Sequence, residues 1–494
     1  IDSSKNLSKR LVIFCANVII NVVIDSLQKI KQREENSMKK FSNAAVKIVN
    51  RFLPDAFIFC IILTIVVFIA AIPATGMNPI EVANTWGDGV WSLLAFSMQM
   101  ALVLVLGNAF AAAPAIKNLI KKIAAMPNKA TSAILMVSVV SCICDWLNWG
   151  FGLVVGALLA KEVAIQADKK GYKVDYRLLI ATAYSAFVLW HAGVSGSIPL
   201  TLASWTEAVG AQTAGAVTEA IPTSATIFSS WNLIMVIAVG IGITVANVLS
   251  LPDEKDMICV DVTKFEEEVI IEKKPETPAE KLENSMILSL IVVVMGVAYL
   301  GYFFITTGNF NLSLNTVNMI FLLLGILFHK TPIGYVRAIS DSAKAAGGII
   351  LQFPFYAGIM GMMTGCKEGG PSLAGVISNV FVAISTKTTF PVFTFLAAGV
   401  VNFFVPSGGG QWAVQGPIMM PAGAELGVPA AVTGMAIAWG DAWTNLLQPF
   451  WALPALGIAG LGARDVMGYC AVALIISGVI VCIGFLVLVP MLAY

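Results

Sequence analysis

Apolar runs recur along almost the whole chain, separated by short polar stretches. A helix that crosses a bilayer needs roughly 20 mainly apolar residues, so each long run predicts a transmembrane helix. The predicted spans are 53–72, 91–113, 178–202, 231–251, 286–305, 314–328, 345–366, 432–461 and 467–489. Pro114 and Pro371 open shorter segments (to Met126 and Ser385) that are expected to lie along the membrane surface.

Two more runs, 130–160 and 390–421, are apolar but interrupted. The first, ATSAILMVSVVSCICDWLNWGFGLVVGALLA, carries Asp145, Asn148, Trp149 and Gly150 near its middle and lysines on both flanks. Charge of one sign at both ends fits a re-entrant hairpin whose half-helices meet at Asp145–Gly150; a single kinked span is the alternative. The second run carries Pro406-Ser407-Gly408-Gly409-Gly410-Gln411 and predicts a hairpin dipping in from the other side. Two of the spans also look broken. Span 178–202 holds Trp190-His191-Ala192-Gly193-Val194-Ser195-Gly196-Ser197-Ile198-Pro199, and span 432–461 holds Asp441, Thr444, Asn445 and Gln448. Broken backbone at membrane depth survives only where protein or a watery cavity receives its polar groups. An intramembrane Asp costs roughly 2.5–3.5 kcal/mol on insertion scales, so its default reading is functional.

Charge sets the orientation. Lys39, Lys40, Lys47 and Arg51 precede the first span, and no Lys or Arg follows until Lys117. The positive-inside bias puts the N-terminus in the cytoplasm and residues 74–90 outside. Lys367 and Lys387 run against this scheme, since both fall outside. The segment 252–285 is densely charged and reads as a solvated cytoplasmic linker. Pro114 and Pro371 are 257 residues apart, and the hairpin starts Ala130 and Phe390 are 260 apart. Span 286–305 has no counterpart, and one unpaired crossing turns the second half upside down. The predicted fold is an all-α polytopic membrane protein of two inverted-topology repeats, with about nine spans, two re-entrant hairpins and two broken helices. The predicted divisions are an extension 1–37, a first repeat 38–251, the linker 252–285, a linking span 286–305 and a second repeat 306–494.

Composition narrows the function. The chain is 58% hydrophobic and 12% charged, with a formal net charge of +1, which argues against a nucleic-acid partner. Its 8 cysteines lie mostly in apolar runs with no CxxC, and its 2 histidines cannot build a zinc site, so neither disulfides nor a metal is expected. No nucleophile–base constellation is visible, and an enzyme is not expected.

The four special stretches supply hydroxyls, amides, glycines, two Asp, one His and several Trp, but no Lys or Arg. An anionic solute would be held by helix N-termini and small donors. Gly408, Gly409 and Gly410 would let backbone N–H groups approach one carboxylate closely. A dicarboxylate or phosphate would more often recruit Arg. Some of Trp149, Trp190, Trp412, Trp439 and Trp443 could wall a short aliphatic tail, whereas Trp451 reads as packing. Asp441 is expected to bind the coupling ion, Na⁺ or H⁺, with a helix cap as the plainer alternative. Asp145 divides evenly between cap and ion site. His191, near the repeat position of Asp441, is either a proton carrier or solute donor or a satisfied structural group. His329 reads as interfacial.

At VNFFVPSGGGQWAVQGPIMMPA (401–422), AWGDAWTNLLQPFWALPALGIAGLGARDVMGYC (438–470) and DWLNWGFGLVVGALLAKE (145–162), the chain closely resembles the bacterial short-chain fatty acid transporter family, over about residues 40–494. The residues before Met38 depart from the pattern. The resemblance implies uptake of small monocarboxylates such as acetoacetate or butyrate across the bacterial inner membrane. The wider ion-transporter superfamily implies a homodimer working as an elevator. Carried over residue by residue, the tip residues Asn148, Ser407, Gly408, Gly409 and Gln411 and the break residues Ser195, Ser197, Thr444 and Asn445 are the expected solute site. A carrier of another small organic anion, a dicarboxylate or an amino acid derivative, and a channel are the alternatives.

Overall fold

The computed structural model describes residues 56–264, 276–307, 312–403 and 405–493. The predicted extension 1–37 and the cytoplasmic N-terminus lie outside these residues. Among the described residues all regular structure is helical.

The first part of the chain forms α1 (Ala56–Thr75), α2 (Pro79–Gly89), α3 (Leu94–Ala111) and α4 (Pro114–Ala124). Helix α2 falls where the apolar pattern predicts only an external loop. Its cause is local: Asn78 Oδ1 accepts the N–H groups of Ile80 and Glu81, and the Glu81 carboxylate accepts the Asn78 N–H at 2.7 Å. Pro79 then fits the first turn, where no N–H is needed. Next comes a helical hairpin of α5 (Ala130–Leu147) and α6 (Trp149–Lys170). Then α7 (Tyr176–Ser185) tightens into a 3₁₀ segment (Ala186–Ala192) and breaks before α8 (Ser197–Leu202). A short α9 (Glu207–Gln212) lies in the loop before α10 (Ser230–Leu249).

After α11 (Pro278–Glu283) and α12 (Met286–Thr307), the order recurs: α13 (Leu314–His329), a Pro-opened α14 (Pro332–Ala343), α15 (Gly347–Thr364) and α16 (Leu373–Ile384). A second hairpin of α17 (Phe390–Asn402) and α18 (Gly408–Glu425) follows, then an interrupted helix, α19 (Ala430–Asn445) and α20 (Pro449–Ala459), and the long α21 (Ala463–Ile483). Packing recurs too: α3 lies against α13 and α14, while α15 lies against α1 and α2. The α2–α15 contact is close because it is glycine-lined; a Cβ on Gly361 would stand 2.3 Å from the Thr85 carbonyl. Lys367 Nζ lies 3.8 Å from the Glu81 carboxylate, which puts the lysine that disturbed the charge pattern on the same face as α2.

Both hairpins are antiparallel, with arms longer than the predicted bounds 130–160 and 390–421. Gly152 lies against Asp145 and Gly156 against Ser141. At the base, Lys170 Nζ reaches Asn128 Oδ1 at 2.9 Å and also bonds the carbonyls of Ala125 and Pro127. In the second hairpin Gln411 Nε2 donates to the Ala398 carbonyl at 2.9 Å, and Gly423 lies against Phe390. The arms α5 and α6 hold 18 and 22 residues, roughly 27 and 33 Å at about 1.5 Å per residue. They are therefore counted among the 8 described helices long and apolar enough to cross a membrane, while the interrupted α19–α20 and the short α13 are not. That is why length alone returns a different set from the nine predicted spans. Helix α12 shows Ile287, Tyr302 and Ile305 to its surroundings; in a membrane protein, lipid covers such a face.

The linker is not wholly solvated, contrary to the charge pattern. Buried Asp175 caps α7 through the Leu178 N–H, pairs with Arg177 at 2.9 Å and accepts the Ile258 N–H, and Tyr176 N–H donates to the Ile258 carbonyl. The linker is therefore pinned at Ile258. Farther on, N–H groups of Thr277 and Glu276 donate to Glu280 and hold its carboxyl below its ordinary value.

Candidate solute and ion site

Each hairpin turns on one capping residue. Asn148 has φ −157° and ψ 121°, Ser407 has φ −157° and ψ 113°, and each side-chain oxygen accepts the N–H three residues on, Phe151 and Gly410 respectively. This is the ordinary N-cap conformation, satisfying one of the orphan donors of the helix that follows.

The first tip rests on the first break. Trp149 N–H donates to Ser195 Oγ at 3.0 Å, and Val194 N–H donates to the Trp146 carbonyl at 2.7 Å. The second tip reaches the same break, since a Cβ on Gly408 would stand 2.6–2.8 Å from Trp190, His191 and Ser197. Both predicted tips and the predicted first break therefore come together, and Asn148, Trp149, His191, Ser195, Ser197 and Gln411 are buried there, with Ser407 half-buried. The observed break covers Gly193–Gly196, inside the predicted 190–199.

The second break lies inside the predicted 441–448 but covers only its last three residues. Helix α19 continues through Asp441, Thr444 and Asn445, and the chain leaves it only over 446–448. Asn402, on the facing arm, explains the continuity. Its amide donates to the Asp441 carbonyl (2.9 Å), Thr444 Oγ1 (3.0 Å) and Asn445 Oδ1 (2.7 Å). Gln448 Nε2 in turn donates to the carbonyls of Asn402 and Phe403, and Tyr184 donates to that of Asn445 at 2.5 Å. Thr444 also donates to Gly399, so Thr444 and Asn445 tie α17 to α19. Asn402 was not foreseen; its only signal is an amide in an otherwise apolar arm.

Asp441 and His191, 250 residues apart in sequence, are paired across the two breaks. His191 Nδ1 lies 2.8 Å from Asp441 Oδ2, and both side chains are fully buried. Ser197 Oγ lies 2.8 Å from His191 Nε2, and the Ile198 N–H points at the same nitrogen at 3.2 Å. A peptide N–H can only donate, so Nε2 accepts and the ring proton sits on Nδ1, directed at Asp441. A Ser–His–Asp line thus exists where the sequence offered no such constellation. Its serine opens α8 in a closed interior, and Nε2 already has a peptide donor, so the line works as a strut between halves. Neither Asp441 nor Asp145 is a helix cap. Asp145, in the last turn of α5, has neither carboxylate oxygen hydrogen-bonded, at 1% exposure.

The tryptophans sort by their N–H groups. Trp412 donates to Gln212 Oε1 (2.9 Å), Trp439 to Asn232 Oδ1 (3.0 Å) and Trp443 to the Leu474 carbonyl (2.7 Å). The indole N–H groups of Trp149 and Trp190, and the Asn148 Nδ2, are buried with no such partner. The Trp149 and Trp190 rings are 5.8 Å apart, and Trp451 closes on Trp149 at 5.3 Å.

Glycines at both tips serve close packing. Gly150 lies against α3 at Leu104, Gly409 against Phe96 and Phe353, and Gly410 against Tyr356. His329 donates to the Ala109 carbonyl at 2.7 Å and so caps the end of α3. An outward groove between α5 and α10, lined by Leu135, Val139, Ile237 and Ile241, is apolar and suits lipid chains, not a carboxylate. Among the described residues no group of three or more His, Cys, Asp or Glu could hold a metal.

Comparison with known proteins agrees with this architecture. A provisionally assigned short-chain fatty acid transporter of Escherichia coli (strain K12) is 43% identical over 448 residues, covering 90% of this chain and 98% of that protein. A counterpart in Haemophilus influenzae, likewise assigned provisionally, is 41% identical over 452 residues, covering 90% and 99%. In fold, the chain is similar to MtrF of Neisseria gonorrhoeae, which is described as one of a class of antimetabolite efflux pumps, with a TM-score of 0.54, 16% identity and coverage of 90% and 97%. The sequence profile of the family described as Short chain fatty acid transporter matches residues 37–488. The chain is therefore a multi-pass membrane protein, a transporter and not an enzyme, and it belongs to the short chain fatty acid transporter family.

Proposed function

We propose that the protein is a secondary active transporter of short-chain fatty acids or related small monocarboxylates, acetoacetate and butyrate among them, coupled to a cation. The observation that carries this reading is the buried meeting of two hairpin tips and a helix break, with Trp149 N–H on Ser195 and Gly408 on His191 and Ser197. The Asn148 amide and the Trp149 and Trp190 indoles offer donors without partners, which suit one carboxylate, and the aromatic rings suit a short tail. A buried donor without a partner costs about 1–3 kcal/mol, which a bound carboxylate would recover.

The recurring order α1–α10 and α13–α21, the matched caps at Asn148 and Ser407, and the unpaired α12 support two inverted repeats, 38–251 and 306–494, joined by 252–285 and 286–305. The hairpins dip in from opposite faces of the bacterial inner membrane and, with the breaks, move as an elevator against α3 and α15 in a homodimer. The Gly150–Leu104 and Gly409–Phe96 contacts are the surfaces that would slide.

The test is uptake into proteoliposomes of labelled butyrate and acetoacetate, with succinate and amino acids as competitors. Saturable monocarboxylate uptake, unaffected by the competitors, is expected. Saturable uptake of succinate or an amino acid instead would replace the solute class.

A further inference from the structure

Asp145 and Asp441, the two buried aspartates beside the hairpins, differ in a way that divides the labour of coupling. Asp441 has a fixed partner: the Ile198 N–H holds His191 in the tautomer that donates to Asp441 Oδ2. Removing the charge of Asp441 would weaken the contact that joins the 3₁₀ segment to α19. Asp145 has no partner on either oxygen. Its carboxyl is pressed against the return arm, where a Cβ on Gly152 would stand 2.3 Å from Oδ1. No cation faces it from any packed element. Its own helix offers Cys142 and Cys144, α7 offers Tyr184 and, at its opposite end, Tyr176 and the Arg177 already paired with Asp175, the 3₁₀ segment offers His191 already committed to Asp441, and α10 has no titratable residue. On α6 the charged residues Lys161, Glu162, Asp168, Lys169 and Lys170 lie beyond the membrane-deep stretch Trp149–Ala160. A buried carboxylate with neither a hydrogen bond nor a counter-charge is the least stable form of that side chain, and the neutral acid is the alternative open to it.

We propose that Asp145 carries the coupling proton, taking it up when the first tip meets water and holding it while the tip is closed, and that Asp441 stays bound to His191 throughout. This rests on the transport reading above and names its coupling ion as H⁺. The step is bare proton transfer: one O–H bond forms on Asp145 as one breaks on water, and the reverse follows on the other side. The position fits the task, because Asp145 lies three residues before the Asn148 cap, on the tip that carries the open donors. Solute and proton would thus share one moving tip.

The experiment is infrared spectroscopy of the full-length protein in lipid at neutral pH, beside the D145N variant. The expected result is a carbonyl band of a protonated carboxyl that shifts when aspartate is carbon-13 labelled, disappears in D145N and is the same in NaCl and KCl. Absence of the band in the wild type, its survival in D145N, or its loss in NaCl would each overturn the proposal, the last in favour of Na⁺. The aspartate-labelled wild type answers the question even if D145N fails to fold. In proteoliposomes, butyrate accumulation driven by an acid-outside gradient should fall in D145N to the level without a gradient, and the pH dependence of exchange should vanish. Accumulation retained by D145N would also overturn it. If the wild type moves no monocarboxylate at all, the solute reading fails, while the infrared band still decides whether Asp145 holds a proton.

Discussion

The two hairpin tips share a backbone and differ in what they leave open. Asn148 and Ser407 cap their helices at almost the same φ and ψ, 259 residues apart. Around the first tip, Asp145, the Asn148 amide and the indoles of Trp149 and Trp190 lack partners. Around the second, Gly408, Gly409 and Gly410 are filled against by Trp190, His191, Phe96, Phe353 and Tyr356, and Trp412 is bound to Gln212, while the unpartnered atoms there (Gln411 Oε1, Asn402 Oδ1, Asn445 Nδ2) belong to amides whose other atom is bonded. The shared cap fixes the local geometry of both tips, because capping depends on a few residues in sequence. What the motif can bind depends on side chains brought from elsewhere, and these differ between the halves.

The largest expected difference between the two sides lies in their carboxylates. His191→Ala leaves buried Asp441 without its hydrogen-bond donor and should destabilise the protein by about 3 kcal/mol, the upper end of the cost of an unsatisfied buried group. Asp145→Ala removes a group that bonds nothing and should cost much less. Thermal melting of both variants in the same lipid checks this. Equal losses would mean that Asp145 has a structural partner and that the two sides are alike.

A smaller effect is expected from steric filling at the second tip. Gly410→Val would drive its side chain into the Tyr356 ring, 2.4 Å from where the first added carbon stands. Overpacking of this kind costs about 1–3 kcal/mol. Gly427→Ala has open space around it but positive φ, 71°, so its cost should be local strain of about 1–2 kcal/mol at the helix end with uptake unaffected. Uptake lost in Gly410→Val and kept in Gly427→Ala would separate tip packing from general stability; loss in both would not.

The hairpins and the first break were legible because they rest on local signals. Lysines flank 130–160, Asn148 and Ser407 are cap residues, and Gly, Ser and Pro crowd 190–199. The second break reads too wide in the sequence because Asp441, Thr444 and Asn445 look like helix breakers when taken alone, whereas only 446–448 leave the helix. Asn402, about 40 residues away, meets the Asp441 carbonyl, Thr444 Oγ1 and Asn445 Oδ1, and these contacts brace the helix through its polar stretch. The His191–Asp441 pair was hidden for a similar reason: the residues were seen at equivalent repeat positions, but only the crossing of the two interrupted helices makes them touch. Helices α2 and α14 are short and held by local caps, Asn78 with Glu81 and Thr331, so they leave no long apolar run in the sequence.

The indoles sharpen the comparison at about 1.4 kcal/mol, a tenfold change in affinity. Trp149→Phe keeps a ring and removes an N–H that bonds nothing in the protein. It should raise the half-saturating butyrate concentration about tenfold, near the value for one hydrogen bond to a charged group, with little change in melting. Trp412→Phe removes an N–H bound to Gln212 and should show the reverse, lower stability with unchanged affinity. Concentration-dependent uptake and melting of the two variants decide it, and a Trp149→Phe protein with wild-type affinity would take the carboxylate away from the first tip.

The caps give the smallest and most discriminating pair. Asn148→Ala and Ser407→Ala each remove one N-cap acceptor and should each cost about 1 kcal/mol of stability. Equal costs are expected because the backbone at the two positions is the same and each bonds one N–H, Phe151 at 2.9 Å and Gly410 at 3.3 Å. Uptake should separate them. Asn148 carries a second polar group, the Nδ2 donor left open at the first tip, whereas Ser407 lies against a tip already filled by neighbouring rings. Asn148→Asp keeps the cap oxygen and replaces the donor with an acceptor at a buried position, so it should lose monocarboxylate affinity and melt somewhat lower than the wild type. If Asn148→Asp transports normally, the cap is all that Asn148 contributes, and the two tips are equivalent in chemistry as well as in shape.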